Sequence, residues 1–351
     1  MFTRQEMSFG RSTISERGSC YVMAEIGHNH QGNLETALKM IRIAASCGVQ
    51  AVKFQKRDNK SLYTKAYYNK AYDNENSYGS TYGEHREFLE FNRDEFLELK
   101  KCAEENGVEL IVTAFDFKSV DFLEDIGVTS YKIASADVTN TMLLEYVARL
   151  NKPLFISTGA ANFYEVRIAY ETVLKHNDKL CLMHCVAEYP AEYHNLNLKV
   201  IETLKKEFPH AMIGYSGHDN GILAPVLAYM LGAVAVEKHF TLNHSWKGTD
   251  HRFSLQPEGM RKMVRDLRRV DIALGDGKRV VYDFEVEARK KMGKGIYSSR
   301  PLPAGTVITW DDVCLKTPAN GIAPYMLKDI IGKKVKKDLN EEASISIENL
   351  E

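Results

Sequence analysis

Eight short apolar runs recur along this chain and alternate with segments of helical spacing. They cover residues 21–26, 51–54, 109–112, 130–133, 154–156, 180–183, 212–215 and 234–236. Continuous apolarity is typical of parallel strands that are covered on both faces. Leu34, Leu38 and Ile41 show the helical spacing between runs. Strand–helix alternation repeated this often favours a closed (β/α)8 TIM barrel over an open doubly wound sheet, and no G-x-G-x-x-G follows the first run.

The pattern changes near residue 280. A charged stretch is followed by short segments with Pro and Gly turn signals, which predict a small mixed domain. We therefore predict a barrel over residues 1–280, a linker over 281–293 and a C-terminal domain over 294–351. A core that small is marginally stable, so we expect it to pack on the barrel or on a neighbouring subunit.

Composition restricts the class of partner. The 46 basic residues nearly balance 47 acidic ones without a long block of like charge, which argues against nucleic-acid or membrane binding and favours a small molecule. Residues 1–18 lack the apolar stretch of a secretory signal, so we expect a cytoplasmic protein. The six cysteines show no C-x-x-C spacing and are expected to be free.

Two histidines, His218 and His239, each follow an apolar run. Functional residues of parallel barrels lie where strands end, and imidazole is the commonest metal ligand, so these histidines are candidates to share one divalent ion. A strand-end histidine can also be a hydrogen-bonded structural residue, and the two readings stay open at this point.

Other polar side chains lie at or near the ends of the apolar runs and predict an anion site. Lysine supplies a compact positive charge, so two lysines with nearby hydroxyls suit a phosphate plus a carboxylate. The alternative is an internal ion pair with a carboxylate of the same rim. The rim candidates are Glu25, Lys53, Gln55, Thr113, Lys132, Ser135, Ser157, Tyr189, Ser216 and Glu237.

Several segments together resemble one known family, that of the sialic acid (N-acetylneuraminate) synthases. They are AEIGHNHQG at 24–32, VKFQ at 52–55, TYGEHR at 81–86, YKIAS at 131–135, STG at 157–159, HCVAEYP at 184–190, GYSGH at 214–218 and EKHFT at 237–241. The C-terminal segments YSSRPLPAG at 297–305 and NGI at 320–322 resemble the antifreeze-like (SAF) domain of that family.

The resemblance implies condensation of phosphoenolpyruvate with an open-chain amino-sugar aldehyde, giving a 2-keto-3-deoxy sugar acid and phosphate. It implies that His218 and His239 hold Mn²⁺ or Mg²⁺, and that Glu25 handles protons. The phosphate and carboxylate would be bound by Lys53, Lys132, Thr113, Ser135 and Ser157. The sugar would be oriented by Gln55, Tyr189 and Asp250.

The resemblance also implies a domain-exchanged homodimer, in which the SAF domain reaches the partner's barrel. This chain departs from the family pattern at two positions. Thr317 stands where the family commonly has an Arg that contacts the N-acetyl group, and Ala187 stands where N-acetylmannosamine-using members carry Asn. The aldose is therefore expected to be N-acetylmannosamine-like, with a non-acetylated or 6-phosphorylated sugar as the alternative.

Other functions remain as rivals. A barrel aldolase could use Lys132 or Lys53 as a Schiff base. A non-catalytic carbohydrate-binding or ice-interacting protein would not require a complete barrel rim. The connection over residues 57–86 has the composition of a substrate-covering loop and also of a variable insertion, and Trp246 is assigned to ordinary loop packing rather than to the sugar pocket.

Overall fold

The computed structural model describes residues 6–16 and 18–351. The chain divides into two compact units, the first ending at Leu274 and the second running from Gly275 to Glu351. Part of the segment used to argue against a secretory signal, residues 1–5 and 17, lies outside the described residues.

The first unit is a closed barrel of eight parallel strands, as the alternation predicts. The strands are β3 (Tyr21–Gly27), β4 (Ala51–Lys56), β5 (Glu109–Ala114), β6 (Tyr131–Ile133), β7 (Leu154–Ser157), β8 (Leu180–Cys185), β9 (Met212–Gly217) and β10 (Ala235–His239). They follow one another in chain order, and β10 closes the barrel on β3. All strand carboxyl ends therefore meet at one mouth, where active sites of this fold lie.

Helices surround the barrel, with three short ones in the connection after β4. They are α1 (Leu34–Ser46), α2 (Asn59–Leu62), α3 (Lys65–Tyr68), α4 (Tyr82–Phe88), α5 (Arg93–Glu105), α6 (Phe117–Ile126), α7 (Thr141–Ala148), α8 (Phe163–Leu174), α9 (Val200–Glu207), α10 (Leu223–Met230) and α11 (Pro257–Leu274). Side-chain oxygens at N-caps such as Asn33, Asp116 and Asn162 accept backbone N–H groups and fix where helices begin.

A hairpin that the apolar pattern did not predict precedes the barrel. Its strands are β1 (Glu6–Phe9) and β2 (Ser12–Ser15), which pair antiparallel. Met7, Phe9 and Ile14 are buried in one apolar cluster with Tyr21 and Met212, the first residues of β3 and β9. The hairpin therefore covers the amino-terminal end of the barrel and leaves the opposite end as the mouth.

The second unit is small and mixed. It contains α12 (Asp283–Met292), β11 (Gly295–Ser298), β12 (Val313–Lys316) and α13 (Leu327–Ile330), with β11 and β12 antiparallel. Its core consists of aliphatic side chains such as Ile296, Leu302 and Ile345. The segment predicted as a linker, residues 281–293, contains α12.

Each of the six cysteines is free. No helix among residues 6–16 and 18–351 is long and apolar enough to cross a membrane.

Candidate active site

A cavity of about 1280 Å³ opens at the carboxyl ends of the barrel strands. It is large enough for two small substrates. Its lining contains every predicted site residue and every rim candidate: Glu25, Lys53, Gln55, Thr113, Lys132, Ser135, Ser157, Tyr189, Ser216, His218, Glu237, His239 and Asp250.

Strand register explains why these side chains meet. Glu25 of β3 lies between His239 of β10 and Lys53 of β4. Further round the barrel, Thr113 of β5 pairs with Lys132 of β6. Side chains at equal height on neighbouring parallel strands point to the same layer of the interior, so residues distant in sequence become one polar floor.

The floor is a buried ion network around the two lysines. Lys53 Nζ lies 2.8 Å from Glu25 Oε2 and donates to Thr113 Oγ1 at 2.9 Å. Lys132 Nζ donates to Ser157 Oγ at 2.5 Å. Lys53 therefore makes the internal ion pair that we gave as the alternative to anion binding.

Glu237 lies between the two lysines. Its carboxylate oxygens are 3.7 Å from Lys53 Nζ and 3.9 Å from Lys132 Nζ. Burial would raise the pKa of Glu237, but the charges of Lys132 and Lys53 outweigh it and hold that pKa at about 2. Two lysines and two carboxylates, Glu25 and Glu237, thus form the floor.

The carboxyl of Glu25 differs from that of Glu237. Burial raises the pKa of Glu25 despite the charge of Lys53. Its Oε1 accepts from Gln55 Nε2 at 2.7 Å, whereas Oε2 has no aligned hydrogen-bond donor although Lys53 Nζ is close. A carboxyl with a raised pKa in a cavity is suited to give and take a proton.

Gly27 makes room for the bond between Gln55 and Glu25. Its backbone has φ +53, and a Cβ there would lie 2.9 Å from Glu25 Oε1 and 3.1 Å from Gln55 Nε2. A side chain at this position would therefore displace both groups. It would also strain the backbone, because glycine adopts such a conformation at no steric cost.

The two histidines predicted to hold a metal lie side by side, with ring centroids 5.3 Å apart. Nδ1 of His218 is 2.8 Å from the carbonyl oxygen of Val186. Because a carbonyl only accepts, this nitrogen carries the proton and Nε2 keeps its lone pair. Burial lowers the pKa of each histidine to about 4, so both rings are neutral at pH 7.

The two histidines could hold a divalent ion between them. Nδ1 of His239 is buried without a hydrogen-bond partner and lies 3.7 Å from Asp250 Oδ2. In the part of the chain that the structure describes, no group of three or more His, Cys, Asp or Glu side chains is placed to hold a metal. An ion here would take two histidine ligands from this chain, leaving other positions to water or substrate oxygens, as Mn²⁺ and Mg²⁺ accept.

The remaining predicted residues line the walls. The ring of Tyr189 lies over His218, with centroids 4.0 Å apart, and is 55% exposed at the mouth. Tyr189 is therefore much closer to solvent than the buried ion network. Ser135 Oγ accepts the backbone N–H of Gly159 at 3.0 Å.

Several side chains of the cavity were not in the predicted set of functional residues. Arg57, Arg86, His28 and Lys247 all line it, and so does Trp246, which we assigned to loop packing. His184 does not line it; its Nε2 bonds the carbonyl oxygen of Leu196 at 2.7 Å. Of these residues, Arg57 could have been predicted from the sequence, because it lies just after a strand and two residues beyond Gln55.

Comparison with known proteins identifies the family. A profile of the NeuB family matches residues 40–279, and a profile of the SAF domain matches residues 293–351. The chain belongs to the NeuB family. The predicted family and the predicted fold, a TIM barrel with a C-terminal SAF domain, are thereby confirmed.

Individual relatives of this NeuB-family chain cover nearly its whole length. It is 36% identical over 327 residues to N-acetylneuraminate-9-phosphate synthase of Homo sapiens, covering 93% of this chain and 91% of that protein. It is 37% identical over 347 residues to N,N'-diacetyllegionaminic acid synthase of Legionella pneumophila, covering 96% and 97%. These relatives are carbon–carbon bond-forming synthases, and the chain is an enzyme of that transferase type.

A solved structure gives the same result. The crystal structure of the N-acetylneuraminic acid (sialic acid) synthetase from Leptospira borgpetersenii matches with a TM-score of 0.71 and 32% identity. The match covers 81% of this chain and 95% of that protein.

Proposed function

We propose that this enzyme condenses phosphoenolpyruvate with an N-acetylmannosamine-like aldose to give a sialic-acid-type 2-keto-3-deoxy sugar acid and phosphate. The relatives' names support the coarser class, a nonulosonic acid synthase that uses phosphoenolpyruvate. The observation that carries the proposal is one cavity that contains a histidine pair together with two buried lysines.

The lysine floor is the proposed site of phosphoenolpyruvate. Lys53 and Lys132, with the hydroxyls of Thr113, Ser135 and Ser157, would bind its phosphate and carboxylate. Lys53 is held by Glu25 and Glu237, so the floor has no surplus positive charge while both carboxylates are ionised. Protonation of Glu25, whose pKa is already raised, would release Lys53 to the incoming anion.

His218 and His239 would hold Mn²⁺ or Mg²⁺ at the wall of the cavity. When bound, such an ion polarises a carbonyl oxygen of the sugar as a Lewis acid. Gln55, Tyr189 and Asp250 line the space next to the histidines and would orient the sugar hydroxyls. Glu25 would hold or release the proton at Oε2, the carboxylate oxygen that lacks an aligned donor, while water adds to the former enol carbon.

The SAF domain and the choice of aldose belong to the same proposal. We propose a cytoplasmic, domain-exchanged homodimer, and we retain a non-acetylated or 6-phosphorylated aldose as the alternative because of Thr317 and Ala187.

Phosphate release tests this function. The full-length enzyme is incubated with phosphoenolpyruvate, Mn²⁺ and one aldose from a panel of N-acetylmannosamine, mannose, their 6-phosphates and 6-deoxy diacetamido hexoses. We expect release with at least one aldose and none with the His239→Ala variant. No release with any aldose would refute the proposal.

One observation favours a second candidate, the Schiff-base aldolase. Burial lowers the pKa of Lys132, as the nucleophilic lysine of such an enzyme requires. Treatment with pyruvate and borohydride separates the two. Irreversible trapping, with turnover unaffected by a chelator, would establish the aldolase, whereas we expect no trapping.

A further inference from the structure

Two arginines that line the cavity lie outside the lysine floor. Arg57 follows β4 directly, and Arg86 lies on α4 in the long connection after that strand. Each guanidinium contacts the ring of His28. The Nη1 atom of Arg57 is 3.1 Å from Nε2, and the Nη1 atom of Arg86 is 3.1 Å from Nδ1. We refer to Arg57, Arg86 and His28 as the arginine pair and its histidine.

No ion pair neutralises the arginine pair within the described part of the chain, although the charges of Glu90 and Asp250 act on Arg57 and Arg86 from a greater distance. Neither guanidinium has a carboxylate within 4.0 Å there, in contrast to Lys53 on the cavity floor. The partners of the pair are neutral. Arg57 Nη2 donates to Gln55 Oε1 at 2.8 Å, and Arg86 donates to the hydroxyl of Tyr82 at 2.9 and 3.0 Å.

Burial makes this surplus charge unusual. Arg57 is only 8% exposed, and its guanidinium lies 3.6 Å from the centre of the Phe115 ring. Charged side chains are almost never buried without an opposite charge, because water is lost and nothing replaces it. Burial and the neighbouring charge of Arg86 lower the pKa of Arg57 to about 10, which still leaves it charged at neutral pH.

His28 cannot satisfy both arginines. A neutral imidazole has one N–H donor and one acceptor nitrogen, whereas a guanidinium only donates. One of the two contacts therefore sets a donor against a donor. Burial and both arginines lower the pKa of His28 well below its ordinary value, so it adds no charge at neutral pH. The cluster has two positive charges and one hydrogen-bond donor that needs an acceptor oxygen.

We propose that Arg57, Arg86 and His28 form a subsite for a phosphate monoester carried by the aldose at the end remote from its aldehyde. This inference rests on the proposed function of the same cavity. A phosphate monoester brings close to two negative charges and three acceptor oxygens, which matches two guanidinium groups that bind such oxygens in pairs. The subsite selects the sugar phosphate and takes no part in bond making.

Gln55 places this subsite within reach of the reacting groups. Its Nε2 donates to Glu25 Oε1 and its Oε1 accepts from Arg57. One side chain thus separates the floor from the arginine pair. The floor has its own hydroxyls for phosphoenolpyruvate, so a second phosphate in the cavity is the group left for Arg57 and Arg86.

The test compares N-acetylmannosamine 6-phosphate with N-acetylmannosamine by phosphate release in the full-length enzyme. We expect kcat/KM to be higher for the phosphorylated sugar. Arg57→Gln and Arg86→Gln should each lower that value roughly 10- to 100-fold, as loss of a charged hydrogen bond does. Because Arg57 also bonds Gln55, the variant expected to keep KM for phosphoenolpyruvate and turnover of the unphosphorylated sugar within about threefold is Arg86→Gln. Arg252→Gln, which removes an exposed positive charge from the same cavity wall, is the matched control.

Other outcomes would contradict either the subsite or the proposed function. Equal use of both sugars by the parent enzyme, or equal losses for both sugars in Arg86→Gln, would overturn the subsite and leave the proposed function standing. A loss in Arg252→Gln as large as in Arg86→Gln would also overturn it, because general attraction would then suffice. No release with any aldose would overturn the proposed function itself. Arg86 is half-buried, so its variant keeps the test valid if Arg57→Gln does not fold.

Discussion

Replacing Lys53 with methionine should destabilise the barrel strongly. Nζ of Lys53 lies 2.8 Å from Glu25 Oε2, and at an effective dielectric constant of about 20 two charges at that separation attract by about 6 kcal/mol. The cost of burying both groups offsets part of this attraction. Removing one partner of a buried pair typically costs about 3–5 kcal/mol, because the other charge is left unpaired. We expect the free energy of unfolding to fall by that amount.

The double variant separates the charge from the shape of the side chain. Glu25→Gln in the Lys53→Met background removes the unpaired carboxylate, and we expect it to restore about 1–3 kcal/mol of the loss. Binding of phosphoenolpyruvate, measured by calorimetry, should stay lost in both variants because the lysine is absent. Lys39→Met, at an exposed position of α1, is the control and should change stability by less than about 0.5 kcal/mol.

Urea unfolding followed by tryptophan fluorescence measures these differences. The chain has one tryptophan in each compact unit, Trp246 and Trp310, and a composite signal would mix two transitions. All variants are therefore made in a Trp310→Phe background, in which Trp246 alone reports on the barrel. A Lys53→Met protein within about 1 kcal/mol of its parent would refute the reasoning. So would a double variant less stable than Lys53→Met.

Three further substitutions and one mass measurement test other parts of the structure. Phe9→Ala should lower the free energy of unfolding, measured with the same urea assay, by about 3–5 kcal/mol, because Phe9 is buried where the hairpin meets the barrel; a loss under 1 kcal/mol would contradict that packing. Gly27→Ala should cost about 1–2 kcal/mol of backbone strain and also lower kcat, since its Cβ would displace Glu25 and Gln55; unchanged phosphate release would show that their contact is dispensable. His239→Ala should abolish Mn²⁺ binding in an electron paramagnetic resonance titration, whereas His194→Ala, at an exposed position, should not. Sedimentation equilibrium should give twice the mass of one chain if the predicted homodimer forms.

The sequence predicted the barrel because apolar runs typical of covered parallel strands alternate with helical segments along the chain. It predicted the histidines and lysines of the site for a related reason. His239 ends β10 and Lys53 is a charged residue within the apolar strand β4, and the closed barrel brings both to one mouth. Position in the strand was therefore sufficient to place them.

Other features needed coordinates because they depend on partners distant in sequence. The hairpin of β1 and β2 has strands of four residues each, too short for the alternation of Met7 and Phe9 to stand out. The pairing of Lys53 with Glu25 rather than with a substrate is a matter of distance. Arg57 and Arg86 lie beyond the strand ends, where the composition of a long loop does not indicate which side chains turn inward.

The depth of the two lysines has a kinetic consequence. Lys53 and Lys132 are 3% and 2% exposed at the bottom of the cavity, whereas Tyr189 at its mouth is 55% exposed. If each substrate binds where we propose, a sugar held at Tyr189 lies between the lysines and solvent. Phosphoenolpyruvate would then have to enter first, and a saturating aldose would slow its escape from the ternary complex.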